Sequence, residues 1–135
     1  SCTGGLLGAA LTASSGASAY FLGGVQCYSN EAKIQFADVK SETLRLHGAV
    51  SEETALELAI GIRERFQANI GVSITGIAGP NGGTPEKPVG TIWVGIADKN
   101  GTEAHKYNFP GDRTVNRERA VTAALQLIFK KVSGV

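Results

Sequence analysis

Glycine placement constrains this chain more than any other feature. Eighteen of its 135 residues are glycine, about twice the roughly 7% of an average protein. They follow no fixed period, which excludes a collagen-like helix or a repeat array. They gather instead at Gly4-Gly5, at Gly23-Gly24 and between Gly76 and Gly83. Glycines grouped this way mark tight turns and places where backbone approaches a ligand or another backbone.

The stretches between the glycine clusters can be read by their apolar spacing. Leu6, Leu7, Ala9, Ala10 and Leu11 follow the Thr3-Gly4-Gly5 turn and predict a short helix. The apolar and aromatic run at residues 20–28 predicts a buried strand. Residues 30–36 and 41–47 predict two short helices, the second stopped by Gly48. Ser51-Glu52-Glu53 is a helix start, with a serine cap and two carboxylates in the first turn. Ala55, Leu58, Ala59, Ile62 and Phe66 then recur on one face. A strand is predicted at residues 70–75, and another, holding Trp93, at 89–97. A turn at Asp98-Lys99-Asn100-Gly101 leads into a pairing strand at 102–109. A last helix over about 114–132 buries Val121, Ala124, Leu125, Ile128 and Val132. Helices alternating with strands predict one α/β domain over 1–135: a layered fold with a mixed, mainly parallel sheet flanked by helices and containing one β-hairpin.

Composition narrows the function classes. Hydrophobic residues make up 42% of the chain, enough for a core without metals or disulfides. Thirteen basic residues against twelve acidic ones leave a charge of +1. That offers no electrostatic footprint for nucleic acid or an anionic membrane. No apolar run reaches the roughly 18 residues a membrane helix needs. Cys2 and Cys27 match no zinc or redox spacing. They read as free, buried small hydrophobes in a reducing, cytoplasmic compartment. His47 reads as a helix end and His105 as a strand-surface residue. Neither has metal-like spacing, so the expectation is no metal and no cofactor.

In open α/β sheets ligands bind beyond the carboxyl ends of strands. Three candidate loops carry polar, glycine-flanked residues there: Ser1 to Gly5, Tyr28-Ser29-Asn30, and Thr75-Gly76. The backbone N–H groups of Thr3, Gly4 and Gly5 would suit a phosphate, although a plain tight turn has the same sequence. With Ser29 as a helix cap, Lys33 lies in the first turns. There the positive end of the helix, and burial, lower a lysine pKa and make a general base. Taken alone, this is also the pattern of an exposed lysine on a short helix. A capping serine has its oxygen engaged with backbone, so Ser1 and Ser18 are the freer nucleophile candidates. Tyr28 is placed to relay a proton or to orient a carbonyl. Thr75 is placed to contact a ligand or simply to end a strand. Arg113 is a candidate phosphate or carboxylate clamp, or a solvated residue at a helix start. The loop 79–88, rich in glycine and proline, is long for a compact domain and reads as a functional loop of held shape.

Six segments, in order, resemble the C-terminal domain of the competence-damage-inducible protein CinA. They are Ser1-Cys2-Thr3-Gly4-Gly5, Tyr28-Ser29-Asn30-Glu31-Ala32-Lys33, His47-Gly48-Ala49-Val50-Ser51, Thr75-Gly76-Ile77-Ala78-Gly79-Pro80, Pro85-Glu86-Lys87-Pro88-Val89-Gly90-Thr91 and Phe109-Pro110-Gly111-Asp112-Arg113. The resemblance implies a bacterial nicotinamide-nucleotide amidohydrolase, converting nicotinamide mononucleotide to nicotinate mononucleotide and ammonia in pyridine nucleotide recycling. It places functional positions on Ser1, Ser18, Tyr28, Lys33, Thr75 and Arg113. It implies metal-free chemistry in which a serine attacks the carboxamide with Lys33 as base, and it implies a homodimer. It also implies a helix and a strand ahead of the Ser1 segment. The alternative is a catalytically silent nucleotide-binding or partner-binding module linked to competence and DNA damage.

Overall fold

A computed structural model describes residues 1–134; Val135, the last residue of the predicted domain, lies outside the described residues. The elements run in the order α1 (Leu6–Leu11), a 3-10 turn (Ala17–Ala19), α2 (Asn30–Ala37), α3 (Ser41–His47), α4 (Glu52–Phe66), β1 (Gly71–Gly76), β2 (Thr91–Asp98), β3 (Gly101–Asn108) and α5 (Arg113–Ser133). Side-chain caps start three of the helices. Ser29 accepts from Ala32 N–H, Ser51 from Thr54 N–H and Asp112 from Val115 N–H, each satisfying a helix-end donor.

The strands form one sheet in the order β1-β2-β3, and both pairings are antiparallel. The α/β class holds, but the expectation of a mainly parallel sheet does not. Parallel neighbours need a crossover, usually a helix. Here α4 precedes β1 and α5 follows β3, while a helix-free loop joins β1 to β2. None of the three strands is therefore linked to its neighbour by a crossover helix. The hairpin is present as expected, with Asp98 paired to Gly101.

The two-residue period of a strand sorts side chains between two faces. Ile92, Val94 and Ile96 of β2 join Ile74 and Cys2 against Ala120, Ala124 and Leu127 of α5. The opposite face takes α4, and small residues let it come close. A side chain on Gly95 would strike the Ala55 carbonyl at 2.4 Å, and one on Gly71 would strike the Ala59 carbonyl at the same distance. Ser73, on this face, donates to Ala55 O at 2.7 Å. A second apolar cluster, comprising Cys27, Ala37, Val39, Leu44 and Leu58, ties α2 and α3 to α4.

Residues 20–28 correct another expectation. They form no strand, and Tyr20, Leu22, Val25 and Tyr28 are exposed. Apolar composition alone does not make a strand; a ladder partner does, and this stretch pairs with none of the three strands. It runs past the end of α4, close enough that a side chain on Gly23 would meet the Phe66 ring at 2.4 Å.

Candidate active site

Lys33 is the most unusual residue in the fold. Its side chain is 2% exposed, and it sits in the first turns of α2 behind the Ser29 cap. Its Nζ donates to Tyr28 O at 2.9 Å. Among the described residues no carboxylate forms an ion pair with it. A buried ammonium without a counter-charge is costly, and burial pushes the Lys33 pKa down. Ser1, Cys2 and Cys27 lie within electrostatic reach of it. Burial raises both thiols, so the cysteines stay protonated and put no fixed negative charge beside the lysine.

Ser1 is held against Ile74, which lies inside β1. Its backbone nitrogen donates to Ile74 O, and its hydroxyl approaches the same oxygen at 3.4 Å. Thr75 follows directly and is 1% exposed. Its hydroxyl proton goes to Ala49 O at 2.7 Å, so toward a ligand it offers lone pairs only. The segment that presents Ala49 is itself fixed, because Ser51 and Thr54 both donate to Gly48 O. Gly76 is a packing glycine: an added side chain would meet Ile92 at 2.3 Å and Thr91 O at 2.9 Å.

Arg113 opens α5. One arm of its guanidinium donates to Gly79 O at 2.8 Å, and the other lies 3.5 Å from the Tyr28 hydroxyl. Tyr28 thus links the two halves of the cluster, with its carbonyl on Lys33 and its hydroxyl facing Arg113. The loop between β1 and β2 is held at Gly79 by Arg113 and further along by Lys87, whose Nζ donates to His47 O at 2.7 Å. Its expected held shape therefore rests on these side-chain contacts.

The turn at Thr3-Gly4-Gly5 opens α1 as expected, with Gly4 and Gly5 at φ 60° and 97°. Gly4 N–H is engaged by Ser1 O at 3.1 Å. Arg117 holds the turn from the other side by donating to Cys2 O and Thr3 O. The N–H groups of Thr3 and Gly5 make no hydrogen bond among the described residues. Ser18 lies exposed in the 3-10 turn, and no hydrogen bond ties it to Lys33, Tyr28 or Arg113. Ser1 is the serine whose backbone lies within electrostatic reach of Lys33. His47 Nδ1 lies 3.4 Å from Glu53, and His105 lies on β3; no group able to hold a metal occurs among the described residues.

A groove of about 770 Å³ runs along the outer edge of β1, walled by Phe21, Leu58, Ile62, Phe66, Ile128 and Val132. Ser1 and Cys27 line it, but Tyr28, Lys33, Thr75 and Arg113 do not. The polar cluster and the groove are therefore different features that share a border. Reading the residues in order missed Arg117 and Asn116. Asn116 is fully buried; a polar residue at a helix's apolar positions was the available signal.

The sequence also has close relatives. It is 52% identical to a CinA-like protein of Salinibacter ruber over 126 residues, 93% of this chain and 31% of that protein. It is 49% identical to a CinA-like protein of Leptospira biflexa over 135 residues, 99% of this chain and 32% of that one. The chain thus spans about a third of the length of these curated relatives. Among solved structures it is similar to the competence damage-inducible protein A of Klebsiella pneumoniae, with a TM-score of 0.94 and 38% identity, covering 98% of this chain and 83% of that one. It is also similar to a competence/damage inducible protein of Agrobacterium tumefaciens, with a TM-score of 0.92 and 43% identity, covering 96% and 79%. The family model of the CinA C-terminal domain matches residues 1–132, and this chain belongs to that family.

Proposed function

We propose that this domain hydrolyses the carboxamide of nicotinamide mononucleotide, giving nicotinate mononucleotide and ammonia without a metal or cofactor. One observation carries the reading: a buried lysine that forms no ion pair among the described residues, lowered in pKa, within electrostatic reach of the Ser1 backbone, whose hydroxyl lies against β1. A lysine of that kind accepts a proton near neutral pH, as a serine nucleophile requires. In this reading the hydroxyl of Ser1 or Ser18 adds to the carboxamide carbon as Lys33 takes its proton. Lys33 then returns the proton to the departing ammonia, and water cleaves the acyl-enzyme by the same route. The Ser1 surroundings favour Ser1 over Ser18 as the nucleophile. Tyr28 assists the proton transfer. The free N–H groups of Thr3 and Gly5 hold an oxyanion or the phosphate, and Arg113 pairs with the phosphate. Thr75 and Gly76, at the end of β1, form the wall opposite.

The test is ammonia release from nicotinamide mononucleotide by the purified protein, with a trapped acyl adduct mapped by mass spectrometry to identify the serine. Bound mononucleotide without ammonia release overturns the enzyme reading and supports the silent nucleotide-binding module. The homodimer follows from the same family reading, and sedimentation equilibrium checks it; the cytoplasmic location rests on the two free cysteines. No helix among the described residues is long and apolar enough to cross a membrane.

A further inference from the structure

Asn116 is a fully buried side chain in the second turn of α5. It does not cap the helix, since Asp112 does that. All its hydrogen bonds go to main chain. Its amide donates to Gly111 O at 2.8 Å and to Ala78 O at 3.1 Å, and its oxygen accepts from Gly111 N–H at 3.0 Å. Gly111 is seated so closely that an added side chain would lie 3.0 Å from the Asn116 oxygen. Arg113 stands three residues earlier, a neighbour on the same helix face, and donates to Gly79 O. Two consecutive carbonyls of the β1–β2 loop, those of Ala78 and Gly79, are therefore gripped by two side chains from one end of α5.

We propose that Asn116 is a positioning residue: it locks the turn before α5 to the β1–β2 loop, so that Arg113 meets the substrate phosphate from a fixed place. The catalytic consequence rests on the deamidase reading; the lock itself does not. Asn116→Asp keeps the size of the side chain and the acceptor for Gly111 N–H but removes both donors. Asn116→Ser serves if that variant does not fold.

Amide hydrogen exchange and steady-state kinetics test the proposal together, in wild type, the Asn116 variant, Arg113→Ala and the double variant. The expected result is faster exchange in residues 77–84 on loss of Asn116. KM for nicotinamide mononucleotide should rise about tenfold with kcat within about threefold, the pattern of a misplaced binding group. Adding the Asn116 substitution to Arg113→Ala should change kcat/KM little further, since the two act through one contact. Unchanged exchange at 77–84 overturns the lock. Losses that multiply in the double variant, or a fall in thermal stability with KM unmoved, overturn its action through Arg113. A wild-type protein that releases no ammonia overturns the deamidase reading alone, because the exchange comparison still decides the lock.

Discussion

At the scale of single residues, the proposed role of Lys33 would couple stability to chemistry. Its folded-state pKa is lowered by burial, so the unfolded chain binds the proton more tightly than the folded one. Linkage then makes the lysine's penalty full below its folded pKa, and the penalty disappears as pH rises to the ordinary lysine value of about 10.4. Lys33→Met removes a buried, unpaired charge while filling the same space. It is expected to raise the melting temperature at pH 7, with the gap from wild type closing toward pH 10; a variant that melts lower at pH 7 would contradict this. The same variant is expected to lose at least about a thousandfold in ammonia release, the scale on which general bases act. In wild type, kcat/KM should climb with pH as Lys33 loses its proton, with a midpoint below the normal lysine range. A profile with no ionisation below the ordinary lysine range would remove Lys33 from the role of base. If Thr75 borders the proposed substrate site, Thr75→Val should raise KM, because it removes the hydroxyl and its bond to Ala49 O.

At the scale of elements, α4 holds the site from behind. Gly61 faces Ala37 at the end of α2 so closely that a side chain there would lie 1.7 Å from the Ala37 carbonyl oxygen. Gly61→Ala must push α2 and α4 apart and should cost about 3 kcal/mol, the upper range for overpacking, read by urea denaturation. Because α2 carries Lys33 and its cap, activity should fall in the protein that remains folded. Helix α4 was legible from Ser51 onward because its cap and its 3.6-residue period agree. Helices α2 and α3 were legible from their boundary residues. Residues 20–28 were not: a run of aromatic and apolar residues looks the same whether it pairs in a sheet or lies along a helix end.

At the scale of the whole molecule, β2 is the only one of the three strands with a neighbour on both sides, and it is packed between α4 and α5. Its amides should exchange with deuterium more slowly than those of β1 and β3, since exchange of a central strand reports the global unfolding free energy. Comparable rates in all three strands would indicate that the edges open no more readily than the centre. The near-neutral charge leads to a second expectation at this scale. A labelled DNA duplex should show no binding at low salt, where nonspecific electrostatic binding is strongest.

The chain's residues by themselves determined what depends on neighbours close in sequence: the caps at Ser29 and Ser51, the amphipathic face of α4, the Asp98 to Gly101 turn and the glycine turn before α1. They also made Tyr28, Lys33 and Arg113 candidates, though an exposed lysine and a solvated arginine at a helix start fit the same residues, and it was the family resemblance that singled them out. Strand direction depended on which elements lie between which strands in space, a fact that composition does not carry. The same holds for the site. Lys33 is a base candidate because tertiary packing buries it without an acid, and Arg113 faces Tyr28 across 85 positions of sequence. Local propensity acts over a few residues, whereas desolvation and hydrogen bonding act over a few ångströms whatever the separation along the chain. Only the folded chain could set Ser1 against Ile74, next to Thr75, place Tyr28 between Lys33 and Arg113, and show that Asn116 ties the Gly111 turn to the β1–β2 loop.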